Sequence, residues 1–472
     1  MTLKDFEPGQ LMQSARQQIA DEPNLSPALR TTLELLMTLC LLLLERMPKN
    51  SKNSSLPPSL DPNRSKKSKA KNQRRPGGQP GRIGRTLKAV DEPDQIEIIE
   101  VDRSQLPPGR WRDSGRYLRR QVFDITVNTF VTEYRAQIFI DDQGREFHAP
   151  FPDGVVCAAQ YGSSVKAMSV YLSQFQLLPY DRIADLFADQ MMLPLSAGSI
   201  VNFNREAFEA LETFDAWVSK KLIESDVLNL DETSININGK RVWLHLAANE
   251  FFTRYHPHLK RGAEAINDMG IVPHTSAILC HDHWKPYFLF DNKHSLCNAH
   301  ILRELHAVYE NDKGQNWASK CASLLKYFNR LVDKAGGALN DHEAEAAKKM
   351  YRRLLELGER QSPEPPRPPG QKGPVKKSAA RNLLLRLRRH EDDLLRFMTH
   401  VRVPFTNNLA EQNLRMAKVQ QKISGCFRTW DGALTFCRIR GFLSTCQKHH
   451  FSPALALTML FNGQLPSFIT HA

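Results

Sequence analysis

Apolar residues recur at alternating four- and three-residue steps through Leu29, Leu33, Leu36, Cys40, Leu43 and Met47. The spacing predicts a helix with a heptad seam. Ser26 serves as its N-cap, Pro27 is its first helical residue, and Pro48 stops it. About three heptads suffice for a weak coiled coil, and the same stripe also suits a helix packed on its own core. Short β-like runs follow at residues 96–101 and 131–140, and a helical pattern over 163–220. Within it, residues 180–190 are amphipathic, a tight connection follows, and Ser196 caps a second helix, as in a helix-turn-helix or in two ordinary packed helices. The pattern then switches to short buried strands at 227–231, 242–247 and 277–282. The first and last end in Asp231 and Asp282, where a carboxylate emerging from a buried strand is placed either to work or simply to turn the chain. Residues 300–400 read as helical around a Pro-rich loop at 362–374, and a new helix capped by Thr406 follows Val403, Pro404 and Phe405.

Charge changes this picture at one segment. The 472 residues carry a formal net charge of +13, a surplus that points to a polyanion such as nucleic acid or an anionic membrane surface. Residues 64–88 hold ten basic residues and no acidic one: Arg64, Lys66, Lys67, Lys69, Lys71, Arg74, Arg75, Arg82, Arg85 and Lys88. Such a stretch cannot bury a core and reads as a flexible arm that gains order on a phosphate backbone. The 8 cysteines form no C-x-x-C pair, which suits reduced thiols in a cytoplasm. The greasiest run, residues 33–44, is too short to span a bilayer and no signal peptide opens the chain, so the expected location is cytoplasmic, with no membrane partner.

Cutting or exchanging a phosphodiester needs an activated oxygen nucleophile and a neutralised leaving oxygen, and two Mg²⁺ ions about 4 Å apart supply both. Mg²⁺ takes hard oxygen ligands, so three carboxylates from two strands and one helix suffice. Spacing alone does not pick these three from 51 acidic residues; their local sequence does. Leu228-Asn229-Leu230-Asp231-Glu232-Thr233, Leu279-Cys280-His281-Asp282-His283-Trp284 and Thr406-Asn407-Asn408-Leu409-Ala410-Glu411-Gln412 resemble the catalytic blocks of the insertion-sequence-66 type DDE transposases. Asn53-Ser54-Ser55-Leu56-Pro57-Pro58-Ser59 and Pro76-Gly77-Gly78-Gln79-Pro80-Gly81 look like that family's N-terminal signatures, and Cys297-Asn298-Ala299-His300-Ile301-Leu302-Arg303-Glu304 like its segment after the second aspartate.

The resemblance implies a multidomain α/β protein. Residues 1–50 would be a helical, coiled-coil N-terminus, 51–92 a basic flexible arm, and 93–153 a small β-rich segment. Residues 154–224 would be helical with a possible helix-turn-helix. A ribonuclease-H-like catalytic domain would span 225–312 and resume at 401–472, around a helical insertion at 313–400. The implied catalytic and metal-binding residues are Asp231, Asp282 and Glu411, holding two Mg²⁺ or Mn²⁺ ions. The implied reaction is cleavage at the ends of a mobile element, then attack of the freed 3′-hydroxyl on target DNA. The implied partners are double-stranded DNA, a second copy of the chain, and small accessory proteins of the same element. Arg415, Lys418 and Lys422 lie four, seven and eleven residues beyond Glu411 on one helix face, with Asn407 and Asn408 before it, and join the arm as expected DNA contacts.

Two departures stand out. The family's cysteine-based zinc segment would fall at residues 102–152, which contain no cysteine, so a zinc site there is not expected. The family often has Arg-Tyr after the second aspartate, where this chain has His283 and Trp284. A rival zinc reading would use His281, His283, Cys297 and His300, as in a zinc hydrolase. A further rival is a catalytically inactive DNA-binding derivative or repressor. Glu232, next to Asp231 on a strand, is expected to point to the opposite face.

Overall fold

The computed structural model describes residues 15–46 apart from 16, 20 and 24, residues 87–367, residue 373, and residues 375–469. The basic arm from Arg64 to Arg85 lies outside the described residues. Helix α1 (Pro27–Arg46) starts where the cap chemistry places it, with the Ser26 hydroxyl accepting the Leu29 N–H at 3.3 Å. Leu29 and Leu36 of the seam are exposed and Met37 is buried, so these two leucines do not face a core within the chain.

Contact clustering divides the chain into two units. In the smaller one the only ladder among the described residues is a hairpin, β1 (Ile138–Ile140) with β2 (Glu146–His148). Residues 96–101 and 131–137, expected as strands, carry none. A strand needs a partner edge for its backbone groups, and local alternation cannot supply one. No residue between 87 and 150 is buried.

The larger unit holds α2 (Ser163–Val170), continued by a π-turn at Tyr171–Phe175, and α4 (Ala197–Ala210) and α5 (Glu212–Ile223). Between them α3 spans Tyr180–Met191. The Ser196 hydroxyl accepts the Ser199 N–H at 3.0 Å, which caps α4 as expected. Next comes a five-stranded mixed sheet: β3 (Val227–Ile237), β4 (Lys240–Ala248), β5 (Thr253–His258), β6 (Ile278–His281) and β7 (His294–Leu296), in spatial order β5-β4-β3-β6-β7. A short helix, α6 (Ala263–Asp268), precedes β6. The β3–β4 hairpin turns at Asn238-Gly239, both at positive φ (47° and 77°), the Asn-Gly chemistry that a two-residue turn demands. The first three strands form an antiparallel meander, while β6 and β7 run parallel to β3. The fold is therefore mixed α/β, with two described cores built along the sheet.

Next to β6 and β7, α7 (Asn298–Asn311) leads into α8 (Asn316–Lys334), α9 (Asp341–Gln361), α10 (Ala379–Arg389) and α11 (Glu391–Leu395). These build their own core around Trp317, Phe328, Tyr351 and Leu384 and join it to Ile278, Cys280 and Leu296 of β6 and β7. Gly358 lets α9 approach, since a Cβ there would stand 2.6 Å from the Leu384 side chain and 2.9 Å from Trp317. Further along the sheet, α12 (Asn408–Ser424) lays Ala410, Leu414 and Ala417 on Ile235, Val242, Leu244 and Leu246 of β3 and β4. Finally α13 (Trp430–Lys448) and α14 (Pro453–Phe461) close the larger unit. α13 is buried along most of its length, and its Arg440 donates to the Gln174 and Phe175 carbonyls at the end of the π-turn.

Candidate active site

The register of the central strands sets the site. In the parallel pair β3–β6 each partner differs by 51 in residue number, and so do Asp231 and Asp282. The two aspartates therefore lie near each other, Asp231 inside β3, which runs on past the expected end at Asp231 to Ile237, and Asp282 just beyond the end of β6. Asp231 accepts the Glu232 N–H at 2.8 Å, and Asp282 accepts the Trp284 N–H at 3.1 Å in a tight turn. His283, between them in that turn, has φ +74°, a conformation rarely held by a non-glycine residue and common where a site over-determines the backbone.

Glu411 reaches the same region from the first turn of α12. Its position depends on Asn407, which was expected to face DNA but is fully buried against β3. The Asn407 Nδ2 donates to the Leu230 carbonyl at 2.7 Å, its Oδ1 accepts from Asn229 Nδ2 at 2.8 Å, and its backbone N–H donates to Cys297 Sγ at 3.1 Å. Nor does Thr406 cap the helix: Asn407 holds the N-cap position, with its side chain spent on the sheet rather than on the helix end. The far end of α12 is also fixed, because Phe427 N–H donates to the Asn236 carbonyl and Asn238 N–H to the Phe427 carbonyl.

Negative charge concentrates here. The Asp231 carboxyl is pushed well above the usual range, first by burial, then by the charges of Glu232, Asp282 and Glu411. Glu232 faces the other way, as the strand alternation requires. It takes two hydrogen bonds from Arg261 (2.7 and 2.9 Å) and one from the Tyr287 hydroxyl at 2.7 Å. The Arg261 guanidinium lies between the Trp243 and Trp284 rings, 4.8 and 4.2 Å from their centroids. Glu232, Arg261, Trp284 and Tyr287 thus tie the turn that carries Asp282 to the strand that carries Asp231.

The four residues of the rival zinc reading do not assemble. His281 pairs with His294 (3.1 Å), and the His283 ring lies edge-on to His390 at 4.8 Å. Cys297 and His300 instead meet Glu411. Among the described residues these three are the one group of metal-capable ligands whose donor atoms all lie within 4.8 Å of one another, and Asp231 and Asp282 stand outside it. His300 Nδ1 is 3.9 Å and Arg303 Nη2 4.0 Å from Glu411 Oε1. Burial pushes the Cys297 thiol up.

Beyond Glu411 the basic stripe divides. Arg415 and Lys422 are exposed and make no ion pair with a described residue. Lys418 is half-buried, with its ammonium donating to the Ser234 carbonyl and hydroxyl on β3.

The sequence profile described as Transposase IS66 family matches residues 158–435, more than half of the chain and all of the elements just described from α2 to α12. The chain belongs to the IS66 transposase family. "Uncharacterized protein y4jO" from Sinorhizobium fredii (strain NBRC 101917 / NGR234) is 27% identical over 155 residues, which cover 30% of this chain and 48% of the relative. The chain thus spans about half the length of that relative. No helix of the described residues is long and apolar enough to cross a membrane.

Proposed function

We propose that this IS66-family chain cuts DNA at the ends of a mobile element and joins the freed 3′-hydroxyl to target DNA, with Asp231, Asp282 and Glu411 as its catalytic carboxylates. The observation that carries the reading is the closeness of Asp231, Asp282 and Glu411, with β3 and β6 parallel and in register up to Asn229 and Cys280 and the start of α12 tied to β3 through Asn407. We read the sheet as that of a ribonuclease-H-like domain, because an antiparallel meander extended by two parallel strands suits it. The helices between α7 and α12 would then be an insertion ahead of the last catalytic helix.

The donor set suits Mg²⁺ or Mn²⁺. All three candidate ligands are hard carboxylates, and the mutual repulsion that raises Asp231 is relieved by a dication. A pair of ions about 4 Å apart needs carboxylates spread over two positions, which agrees with two aspartates outside the tight group around Glu411. Bound there, the ions would supply an activated oxygen nucleophile and a stabilised leaving oxygen. The protein's part is to hold the carboxylates in place. Glu232 with Arg261 and Tyr287 fixes the aspartates, Asn407 fixes Glu411, and exposed Arg415 and Lys422 grip phosphates along the strand being cut. Lys418, through Ser234, braces the helix instead.

The test is direct. Purified full chain is incubated with Mg²⁺ and duplexes carrying the ends that flank its gene. The reading expects nicks with 3′-hydroxyl ends and their joining to a second duplex. Binding without nicking in either Mg²⁺ or Mn²⁺ would leave a DNA-binding derivative as the function.

A further inference from the structure

Cys297 is the N-cap residue of α7, and His300 stands one turn along on the same helix. Glu411 comes from α12, over a hundred residues further along the chain, so spacing in the sequence hides the meeting of the three. Two features mark the group as more than a crowded helix start. The donor atoms lie within 4.8 Å of one another. His300 Nδ1 is buried and has no hydrogen-bond partner among the described residues, although it faces the Glu411 carboxylate at 3.9 Å. Ligands of a tetrahedral ion with bonds of about 2.0–2.3 Å stand about 3.3–3.8 Å apart, so the group needs only small adjustments to close on one. Arg303 approaches the same Glu411 oxygen at 4.0 Å.

We propose that Cys297, His300 and Glu411 bind a thiophilic divalent cation of the Zn²⁺ class, and that this cation competes with the catalytic Mg²⁺ for Glu411. A thiolate, an imidazole and one carboxylate, with water as the fourth ligand, is a zinc donor set, whereas Mg²⁺ has little use for sulfur. Coordination releases the thiol proton to solvent. The cation site itself needs no catalysis, and only the competition rests on the proposed role of Glu411.

Co²⁺ reports on it, because a cobalt–thiolate bond adds a sulfur-to-metal charge-transfer absorption in the near ultraviolet. Reduced full chain titrated with Co²⁺ should develop that band to one equivalent, and Zn²⁺ should erase it. Cys297→Ser should lose the band and weaken Zn²⁺ at least tenfold. Should that variant not fold, His300→Gln gives the second arm: the band is kept and Zn²⁺ weakened at least tenfold. One equivalent of Zn²⁺ should cut Mg²⁺-supported nicking at least tenfold. No band in the parent chain, or a band and affinity indifferent to both substitutions, would overturn the site. A band with nicking unaffected by Zn²⁺ would overturn the competition. A band in a chain that nicks no DNA under any condition would sustain the site and count against the catalytic reading instead.

Discussion

Asn407→Ala tests whether Glu411 is placed by a latch or merely by helix packing. The substitution deletes two buried hydrogen bonds, to the Leu230 carbonyl and from Asn229 Nδ2. It leaves the Asn229 amide buried without that partner. Each lost bond costs about 1 kcal/mol net, and an unsatisfied buried group adds about 1–3 kcal/mol, so the loss should total about 3–5 kcal/mol. Equilibrium unfolding in urea, followed by circular dichroism, measures it. Catalysis should fall further than stability explains. Asn407 sits one turn before Glu411 and next to the strand that carries Asp231, and a displacement of about 1 Å of a reacting group costs on the order of 100-fold. Nicking of element-end DNA by the variant, assayed at a temperature where it is fully folded, should therefore drop by about that factor. A variant that unfolds and cuts like the parent would refute the latch. A variant that loses stability but cuts normally would show that the packing of Ala410, Leu414 and Ala417 alone positions the carboxylate.

Three further outcomes follow from other parts of the chain. Arg415→Ala should weaken both binding and nicking of element-end DNA by about 1–3 kcal/mol, with partial rescue by Arg415→Lys, because a guanidinium grips phosphate in two places and an ammonium in one; parental behaviour in filter-binding and nicking assays would make this face plain solvated surface. Lys448, whose ammonium donates to the Asn249 and Phe252 carbonyls, is pushed down to about 7 by burial. An unfolded lysine titrates at about 10.4, so between those values the unfolded chain holds the extra proton and stability rises with pH by at most about 1.4 kcal/mol per unit. Lys448→Met should flatten that slope between pH 7.5 and 9.5 in urea melts, and parallel slopes would mean that the ammonium stays charged in the fold. If α1 pairs with a second copy of the chain, Leu36→Asp should lower the oligomeric mass seen by light scattering, since Leu36 is 56% exposed and the change puts a charge in the heptad seam; an unchanged mass would make α1 a helix with no role in assembly.

How much of this was legible in the sequence depended on whether the deciding contacts were local. Asp231 and Asp282 were singled out by the resemblance of their local sequence, and the apolar run before Asp231 misled on one point, since β3 does not end there but runs on to Ile237. Ser26 and Ser196 could be read as caps because cap chemistry involves only the next few residues. β5 stayed hidden because Thr253–His258 carries Pro257 and two histidines on an edge strand, where such residues are tolerated and periodicity is weak. β7 is three residues long and has no period to read. Asn407 was misjudged for the opposite reason: helix geometry put it on the face of Glu411, but a tertiary contact 177 residues away in the chain turned it into the sheet. The meeting of Cys297 and His300 with Glu411 was likewise a matter of tertiary placement. The alternation at residues 96–101 describes a strand face, and nothing local says which edge it would pair with.

The central claim is that three carboxylates, from β3, the turn after β6 and α12, act as one metal-dependent cutting site. It is tested most directly by measuring nicking of element-end DNA by Asp231→Asn, Asp282→Asn and Glu411→Gln, each beside the parent chain in the same Mg²⁺ buffer, with DNA affinity measured in parallel. Each substitution keeps the side chain's shape and removes the charge that Mg²⁺ needs. The account predicts DNA binding close to the parent's and no detectable nicking in all three. Full nicking by any one of them would contradict the account and remove that residue from the site.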